Sequence, residues 1–91
     1  MAVLRPSRDD LTVVEVDDEV SVFNPATGRV SVLNGTASDI WRLCDGEHDE
    51  SDVLDLLGRA YGVPPSSIAE DVVRAVDRFV DEGLIVRAEP G

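Results

Sequence analysis

The chain has 91 residues, 43% of them hydrophobic and 30% charged, which is typical of one small globular domain with a single core. Its formal net charge is -11, and its eight basic residues are arginines scattered singly along the sequence. This surface lacks the cationic stripe of a nucleic-acid-binding protein and would repel a polyanion, so we expect no nucleic acid among its partners.

A single cysteine excludes an internal disulfide, which favours a reducing compartment. The sequence has neither the run of about 20 apolar residues of a membrane span nor the apolar core of a signal peptide. We therefore expect a cytoplasmic protein that does not interact with a membrane.

The amino-terminal segment has few apolar side chains and contains Pro6, Ser7 and two adjacent aspartates. We expect residues 1–10 to be a flexible lead-in.

Three strands are predicted next, at residues 11–16, 20–23 and 29–33, because each stretch is rich in β-branched residues and bounded by turn residues. Two aspartates separate the first pair, and a turn containing Pro25 and Gly28 separates the second pair. These strands predict an antiparallel meander. Apolar residues occur on both faces of these strands. The face away from the core therefore either carries apolar residues only because they favour strands, or is covered by a terminal segment.

The stretch 34–46 predicts a short helix that joins the sheet to a helical layer. Asn34, Thr36 and Ser38 can accept hydrogen bonds from backbone N–H groups at its start, and Gly46 can adopt the left-handed conformation that ends it. Ile40 and Trp41 are the expected core anchors, so any contribution of theirs to binding would be indirect.

Two longer helices follow. The second is expected to be capped by Asp49 or Ser51 and to stop at Gly62. After a connector with two prolines, in which a serine is expected to cap, the third helix carries apolar residues at a period of 3.6 from Ile68 to Gly83. The domain is therefore predicted to span residues 11–86, with residues 87–91 frayed.

Catalytic motifs are not apparent. Cys44 and His48 are four residues apart, but Asp45 and Gly46 interrupt the helix between them, and the sequence offers no further Cys or His for a metal site. A Cys–His nucleophile pair has no residue to orient the base. The glycines do not form a phosphate-binding loop. The chain is therefore expected not to be an enzyme, and a binding module with an exposed sheet edge and a groove beside a helix remains.

An ordered set of short motifs resembles the PqqD family, the recognition elements of ribosomally made and post-translationally modified peptides. The residues that carry the resemblance are Pro25, Ala26, Thr27 and Gly28; Leu33, Asn34, Thr36, Ala37, Ile40, Trp41, Leu43, Asp45 and Gly46; Tyr61, Gly62 and Val63; Asp71, Val72, Val76 and Phe79; and Glu82, Gly83, Leu84 and Ile85.

The resemblance implies an α+β, winged-helix-like fold in which a three-stranded antiparallel sheet is followed by three α-helices. It also implies a peptide chaperone without a cofactor, which binds the leader segment of a precursor peptide by strand addition in a groove between the third strand and the third helix. Carried over to this sequence, the peptide-binding residues would be Arg29, Val30, Ser31, Val32 and Leu33 on the strand, and Asp71, Arg74, Ala75 and Arg78 on the helix.

The residues themselves agree with this implication, because strand 29–33 ends the meander and so has a free edge. The four helix positions form one stripe at three- and four-residue spacing beside the apolar stripe. The stripe can also be an ordinary solvated face, and Asp71 can instead have a structural partner within the chain.

The resemblance leaves the pathway open. The ending of the first helix, residues 43–46, is similar to chaperones of pyrroloquinoline-quinone synthesis, whose partner is a radical S-adenosylmethionine enzyme. Lasso-peptide pathways, with a leader peptidase or cyclase as partner, use the same module. Two alternatives from other classes are a winged-helix nucleic-acid-binding protein and a purely structural docking subunit.

Overall fold

The computed structural model describes residues 2–89 and has α+β architecture, with two antiparallel sheets and three helices. The predicted class, a three-stranded antiparallel sheet followed by three α-helices, is confirmed; a second sheet of two strands was not predicted. The elements in chain order are β1 (Val3–Pro6), β2 (Thr12–Val16), β3 (Glu19–Asn24), β4 (Arg29–Leu33), α1 (Gly35–Leu43), α2 (Glu50–Tyr61), a 3₁₀ turn (Pro65–Ser67), α3 (Ala69–Asp81) and β5 (Ile85–Ala88).

The meander has the order β2-β3-β4, as predicted. Asp17 and Asp18 form its first turn with φ of 50° and 68°, a left-handed conformation that aspartate tolerates better than most residues. In the second turn the Asn24 side chain accepts a hydrogen bond from the Ala26 amide at 3.0 Å, and Gly28 has a φ of 75°. Both turns depend on residues that the sequence already marked as turn formers.

The second sheet joins the two ends of the described chain. β1 pairs antiparallel with β5, and Leu4, only 1% exposed, also bonds through its backbone to the loop that follows α1. The expected lead-in is therefore wrong for Val3–Pro6, and the expected fraying is wrong for residues 87 and 88, because each segment supplies the hydrogen bonds that the other needs. The domain limits of residues 11–86 stay a prediction, and residues 1, 90 and 91 lie outside the described residues.

The helix ends follow the predicted caps only in part. Asn34 caps α1 by accepting from the Ala37 amide at 2.8 Å, but α1 ends at Leu43, so the left-handed Gly46 lies in the next loop. Asp49, rather than Ser51, caps α2 in a reciprocal capping box, and Gly62 ends that helix in the left-handed conformation.

The expected serine cap of α3 is absent. Its N-cap position is Ile68, without a side-chain hydrogen bond, because both candidate serines belong to the 3₁₀ turn.

One core lies between the helices and the inner face of the β2-β3-β4 sheet. The Trp41 ring packs edge-on against Phe79 with ring centroids 6.0 Å apart, which confirms that Trp41 is a core anchor. The largest fully buried apolar side chains are Leu4, Val20, Val22, Leu33, Ile40, Val53, Val72, Val76, Phe79, Leu84 and Ile85.

The outer face of this sheet is apolar and open among residues 2–89. Its side chains at Val14, Val16, Phe23, Val30 and Val32 are 38–62% exposed. No terminal segment within residues 2–89 covers them.

Candidate functional site

Strand β4 is an edge strand, and its backbone shows which residues face the open side. Leu33 pairs with Val20, and the buried Ser38 hydroxyl bridges the two strands there: it accepts from the Val20 amide at 2.9 Å and donates to the Leu33 carbonyl at 3.2 Å. The Leu33 carbonyl therefore points toward β3. Since successive residues of an antiparallel strand point to opposite sides, the N–H and C=O groups of Val30 and Val32 point to the open edge.

Helix α3 and its C-cap residue, Glu82, reach this edge through two polar side chains. Arg78 donates from Nη2 to the Val32 carbonyl at 3.4 Å and from Nε to the Glu82 carboxylate, whose other oxygen accepts from the Ser31 hydroxyl at 2.6 Å. Partial burial raises the pKa of Glu82, but the Ser31 hydroxyl and the Arg78 guanidinium outweigh it and hold this pKa below its ordinary value. The edge of the sheet is thus tied to α3 by an ionised, fully partnered carboxylate.

A groove opens beside this network, between the start of α1 and α3. Its volume of about 320 Å³ is at the lower end for ligand sites and fits side chains of a peptide better than a whole substrate. Its lining consists of Asn34, Thr36, Ala37 and Ile40 from the α1 region and of Asp71, Arg74, Ala75 and Arg78 from α3. All four predicted helix residues therefore lie around one groove.

The five predicted strand residues are placed differently, because none of them lines the groove. Leu33 is fully buried in the core and Ser31 points inward to Glu82, whereas the Val30 and Val32 side chains are each 60% exposed on the outer face. Arg29 is exposed at the start of β4, opposite Asn24. On the strand the backbone, more than the side chains, is available for an interaction, and a binding role for all nine residues stays a prediction.

Sequence reasoning missed the α1 side of the groove. Asn34 and Thr36 were interpreted as capping residues and Ile40 as a core anchor; Asn34 does cap and Ile40 is fully buried, yet each also lines the groove. Helix capping and core burial are sufficient reasons for these residue types in the sequence of α1. Only the packing of α1 against α3 reveals that the same residues line a groove.

The charge of the groove differs from that of the whole chain. The lining carries two arginines and one aspartate, against a formal net charge of -11 for the protein. Arg74 and Asp71 form a loose pair at 3.6 Å, and both side chains are more than half exposed. Asp71 thus has the intramolecular arginine partner that the sequence had offered as an alternative, although exposed pairs of this kind contribute little to stability.

Cys44 and His48 do not form a site together. The Cys44 side chain is buried and donates to the Ile40 carbonyl, and burial, with the nearby Asp45 and Glu50 charges, raises the thiol pKa to about 12. The His48 ring bonds instead to Asp45 at 2.9 Å. Within residues 2–89 no three His, Cys, Asp or Glu side chains are grouped so that they could hold a metal ion. None of the described helices is both long and apolar enough for a membrane crossing.

Fold and site together define a small α+β, winged-helix-like domain whose sheet has an open edge beside a helix-lined groove. The chain belongs to the PqqD family: the family described as Coenzyme PQQ synthesis protein D matches residues 19–85.

Similar proteins agree with this assignment. The chain is 32% identical over 63 residues to the PqqA binding protein of Bradyrhizobium diazoefficiens, a match that covers 69% of this chain and 61% of that protein's length. Two solved structures share the fold, namely TbiB1 in complex with the TbiA(beta) leader peptide and the lasso peptide synthetase B1 complexed with the leader peptide. The TbiB1 match has a TM-score of 0.78 and 21% sequence identity, and it covers 89% of this chain and 93% of TbiB1. The match to lasso peptide synthetase B1 has a TM-score of 0.76 and 23% sequence identity, and it covers 91% of this chain and 96% of that one.

Proposed function

We propose that this chain binds the leader segment of a ribosomally made precursor peptide and presents it to a modifying enzyme. The observation that carries the proposal is the open edge of β4, with the backbone groups of Val30 and Val32 directed outward beside a groove of side-chain size. A peptide that adds as a strand gains backbone hydrogen bonds from the edge and specificity from the groove. The matches to a PqqA binding protein and to two leader-peptide complexes support this proposal.

In this proposal the chain binds and presents, while a partner protein performs the chemistry. The partner is a radical S-adenosylmethionine enzyme if the pathway makes a quinone cofactor, and a leader peptidase or cyclase if it makes a lasso peptide. The encounter takes place in the cytoplasm, where a newly made precursor is available.

The open outer face of the sheet supports the presenting step. An added strand beside β4 would extend this face, so its outward side chains would lie next to Val30 and Val32. A partner enzyme that packs there would contact the chain and the leader at once.

The test is a titration of the labelled chain with the leader of the precursor encoded near its gene, followed through backbone amide chemical shifts. We expect saturable changes at Val30 and Val32 and along residues 71–78. An unrelated peptide of equal length and charge is the control. Absence of changes in both regions with the encoded leader would overturn the proposal.

A further inference from the structure

The guanidinium of Arg78 occupies part of the edge that strand addition requires. Its Nη2 donates to the Val32 carbonyl, which is one of the acceptors that an added strand would use. Proteins often protect edge strands with a charged side chain, since an unprotected edge pairs with any extended chain. In the chain without a ligand, Arg78 therefore covers an acceptor of the binding site itself.

The contact is easily exchanged. Its length of 3.4 Å is long for a hydrogen bond, and the Arg78 side chain is 44% exposed. The Nε bond to Glu82 is independent of Val32 and can persist when the Nη2 bond breaks. Displacement by a peptide N–H would thus leave the guanidinium tethered at the rim of the groove.

A displaced Arg78 would have guanidinium N–H groups available for a new hydrogen-bond partner. Of the five guanidinium N–H donors, one goes to Glu82 and one to Val32, so three have no partner among residues 2–89. Each oxygen of Glu82 already accepts one hydrogen bond, from Ser31 and from Arg78, so its remaining lone pairs, about two, cannot accept all four donors of a displaced Arg78. A guanidinium that faces a cavity in this state matches a carboxylate, which accepts two parallel N–H bonds.

The charge of the site favours the same ligand. The groove lining contains two arginines and one aspartate, and with the Glu82 partner of Arg78 the charges of the site balance, whereas the remaining surface of a chain with a net charge of -11 repels acidic groups. An acidic side chain of a bound peptide would therefore be accepted more readily at this groove than over most of the surface.

We propose that Arg78 covers the β4 edge in the free chain and, once a leader strand displaces it from Val32, binds a carboxylate side chain of that leader. This inference rests on the proposed function and adds the substrate class, a leader with an acidic residue at the groove. It also assigns two successive partners to one side chain.

The experiment is a double-mutant comparison by calorimetric titration. Arg78→Met is measured with the encoded leader and with a set of leaders in which each acidic residue in turn is changed to its amide. With the unchanged leader we expect Arg78→Met to bind roughly tenfold to hundredfold more weakly, the usual effect of losing a charge-assisted hydrogen bond. With one particular amide leader the order reverses: Arg78→Met binds as tightly as the wild type or more tightly, because Val32 is then uncovered.

Arg59→Met is the matched control, since Arg59 is an exposed arginine of α2 outside the groove. It should leave the affinity for every leader unchanged. Arg78→Lys is the second variant if Arg78→Met does not fold: it keeps the charge but cannot form a forked pair, so it should weaken binding of the unchanged leader only.

The outcomes separate the two proposals. If the wild type binds the leader but no acid-to-amide change couples to Arg78, the assignment of Arg78 is overturned and the proposed function stands. A leader that binds tightly through this site without any acidic residue overturns it as well. If the wild type does not bind the encoded leader at all, the proposed function itself fails.

Discussion

Ser38 is a single side chain that fixes where the sheet ends and the first helix packs. It is fully buried, and its hydroxyl bonds to both of the last paired residues of β3 and β4, Val20 and Leu33. The sequence suggested Ser38 only as a helix-start residue, because serine is common there. Its bridging role depends on how α1 meets the strands, which local sequence does not encode.

We predict that Ser38→Ala lowers the free energy of unfolding by roughly 1 to 3 kcal/mol, because it removes two buried hydrogen bonds, from the Val20 amide and to the Leu33 carbonyl. Urea unfolding measures the change. Ser66→Ala, at an exposed position of the 3₁₀ turn, is the control and should have little effect. Equal stability of Ser38→Ala and the wild type would show that water replaces the hydroxyl.

His48 makes the stability depend on pH. The hydrogen bond to the Asp45 carboxylate raises the pKa of His48 above its ordinary 6.5, and it outweighs the opposing effect of partial burial. A raised pKa in the folded state means stabilisation that is fully present below 6.5 and is lost as the pH rises through the folded-state value.

We therefore predict that His48→Ala destabilises the protein more at about pH 5.5 than at about pH 9, where the imidazole is neutral in both states. Unfolding curves at the two pH values measure this. Asp45→Asn is the control, since it removes the partner and should abolish the pH-dependent part. A difference between wild type and His48→Ala that does not change with pH would contradict the assignment.

At the scale of elements, the two-residue turn at Asp17 and Asp18 has a favourable hairpin geometry but is built from residues that adopt positive φ at some cost. Both residues have positive φ, which asparagine followed by glycine adopts more easily. We predict that the double variant Asp17→Asn and Asp18→Gly raises the free energy of unfolding by roughly 0.5 to 1 kcal/mol. The variant Asp17→Asn with Asp18→Asn removes the same charges without glycine, and thermal unfolding of both separates backbone strain from charge relief. A gain that is equal in the two variants would assign it to charge alone.

The two-stranded sheet of β1 and β5 is the element that sequence reasoning could not find. Its strands contain four residues each and come from opposite ends of the chain, so neither has a local pattern or a nearby turn. The meander and the helices were predictable because each is defined by its own alternation, periodicity and caps, as at Asp49 and Gly62. The helix half of the candidate groove, Asp71, Arg74, Ala75 and Arg78, was implied by the family resemblance; the helical period adds only that the four residues share one stripe.

We predict that Leu4→Ala destabilises the fold by roughly 2 to 5 kcal/mol, the usual range for truncating a buried leucine. Hydrogen exchange should show faster exchange in both β1 and β5, because the two strands are each other's strand partner and Leu4 also holds β1 to the loop after α1 through Gly46 and His48. Val3→Ala, at a half-buried neighbouring position, is the control and should cost much less. Slow exchange retained in both strands of Leu4→Ala would show that backbone pairing alone holds this sheet.

At the scale of the whole molecule, Trp41 contributes to stability without contacting the groove, so its substitution tests whether the two properties are independent. Its ring packs on Phe79 of α3 and so helps to set the spacing between that helix and the sheet, but it does not line the groove. We predict that Trp41→Ala lowers the free energy of unfolding by roughly 3 to 5 kcal/mol and weakens leader binding only through this loss. Affinity measured well below the unfolding temperature tests it. A variant of unchanged stability that no longer binds would place Trp41 in contact with the leader.

The overall charge of the chain gives partner selectivity that no single element could supply. The chain has 19 acidic against eight basic side chains, and two of its eight arginines, Arg74 and Arg78, lie at the groove. Composition alone disfavoured nucleic acid, but only the packing of α1 against α3 shows that two arginines lie together at one groove of an acidic chain.

The sheet of β1 and β5 also determines how this domain can be built into a larger protein. Val3 and Ala88 are paired neighbours, so segments attached before the first and after the second would leave the domain side by side. None of the residues of these strands lines the groove. Domains with adjacent ends tolerate insertion into the loops of other proteins. Placed within such a loop, this domain would keep the β4 edge and its groove accessible, so that one polypeptide could combine the recognition of a peptide with the chemistry performed on it.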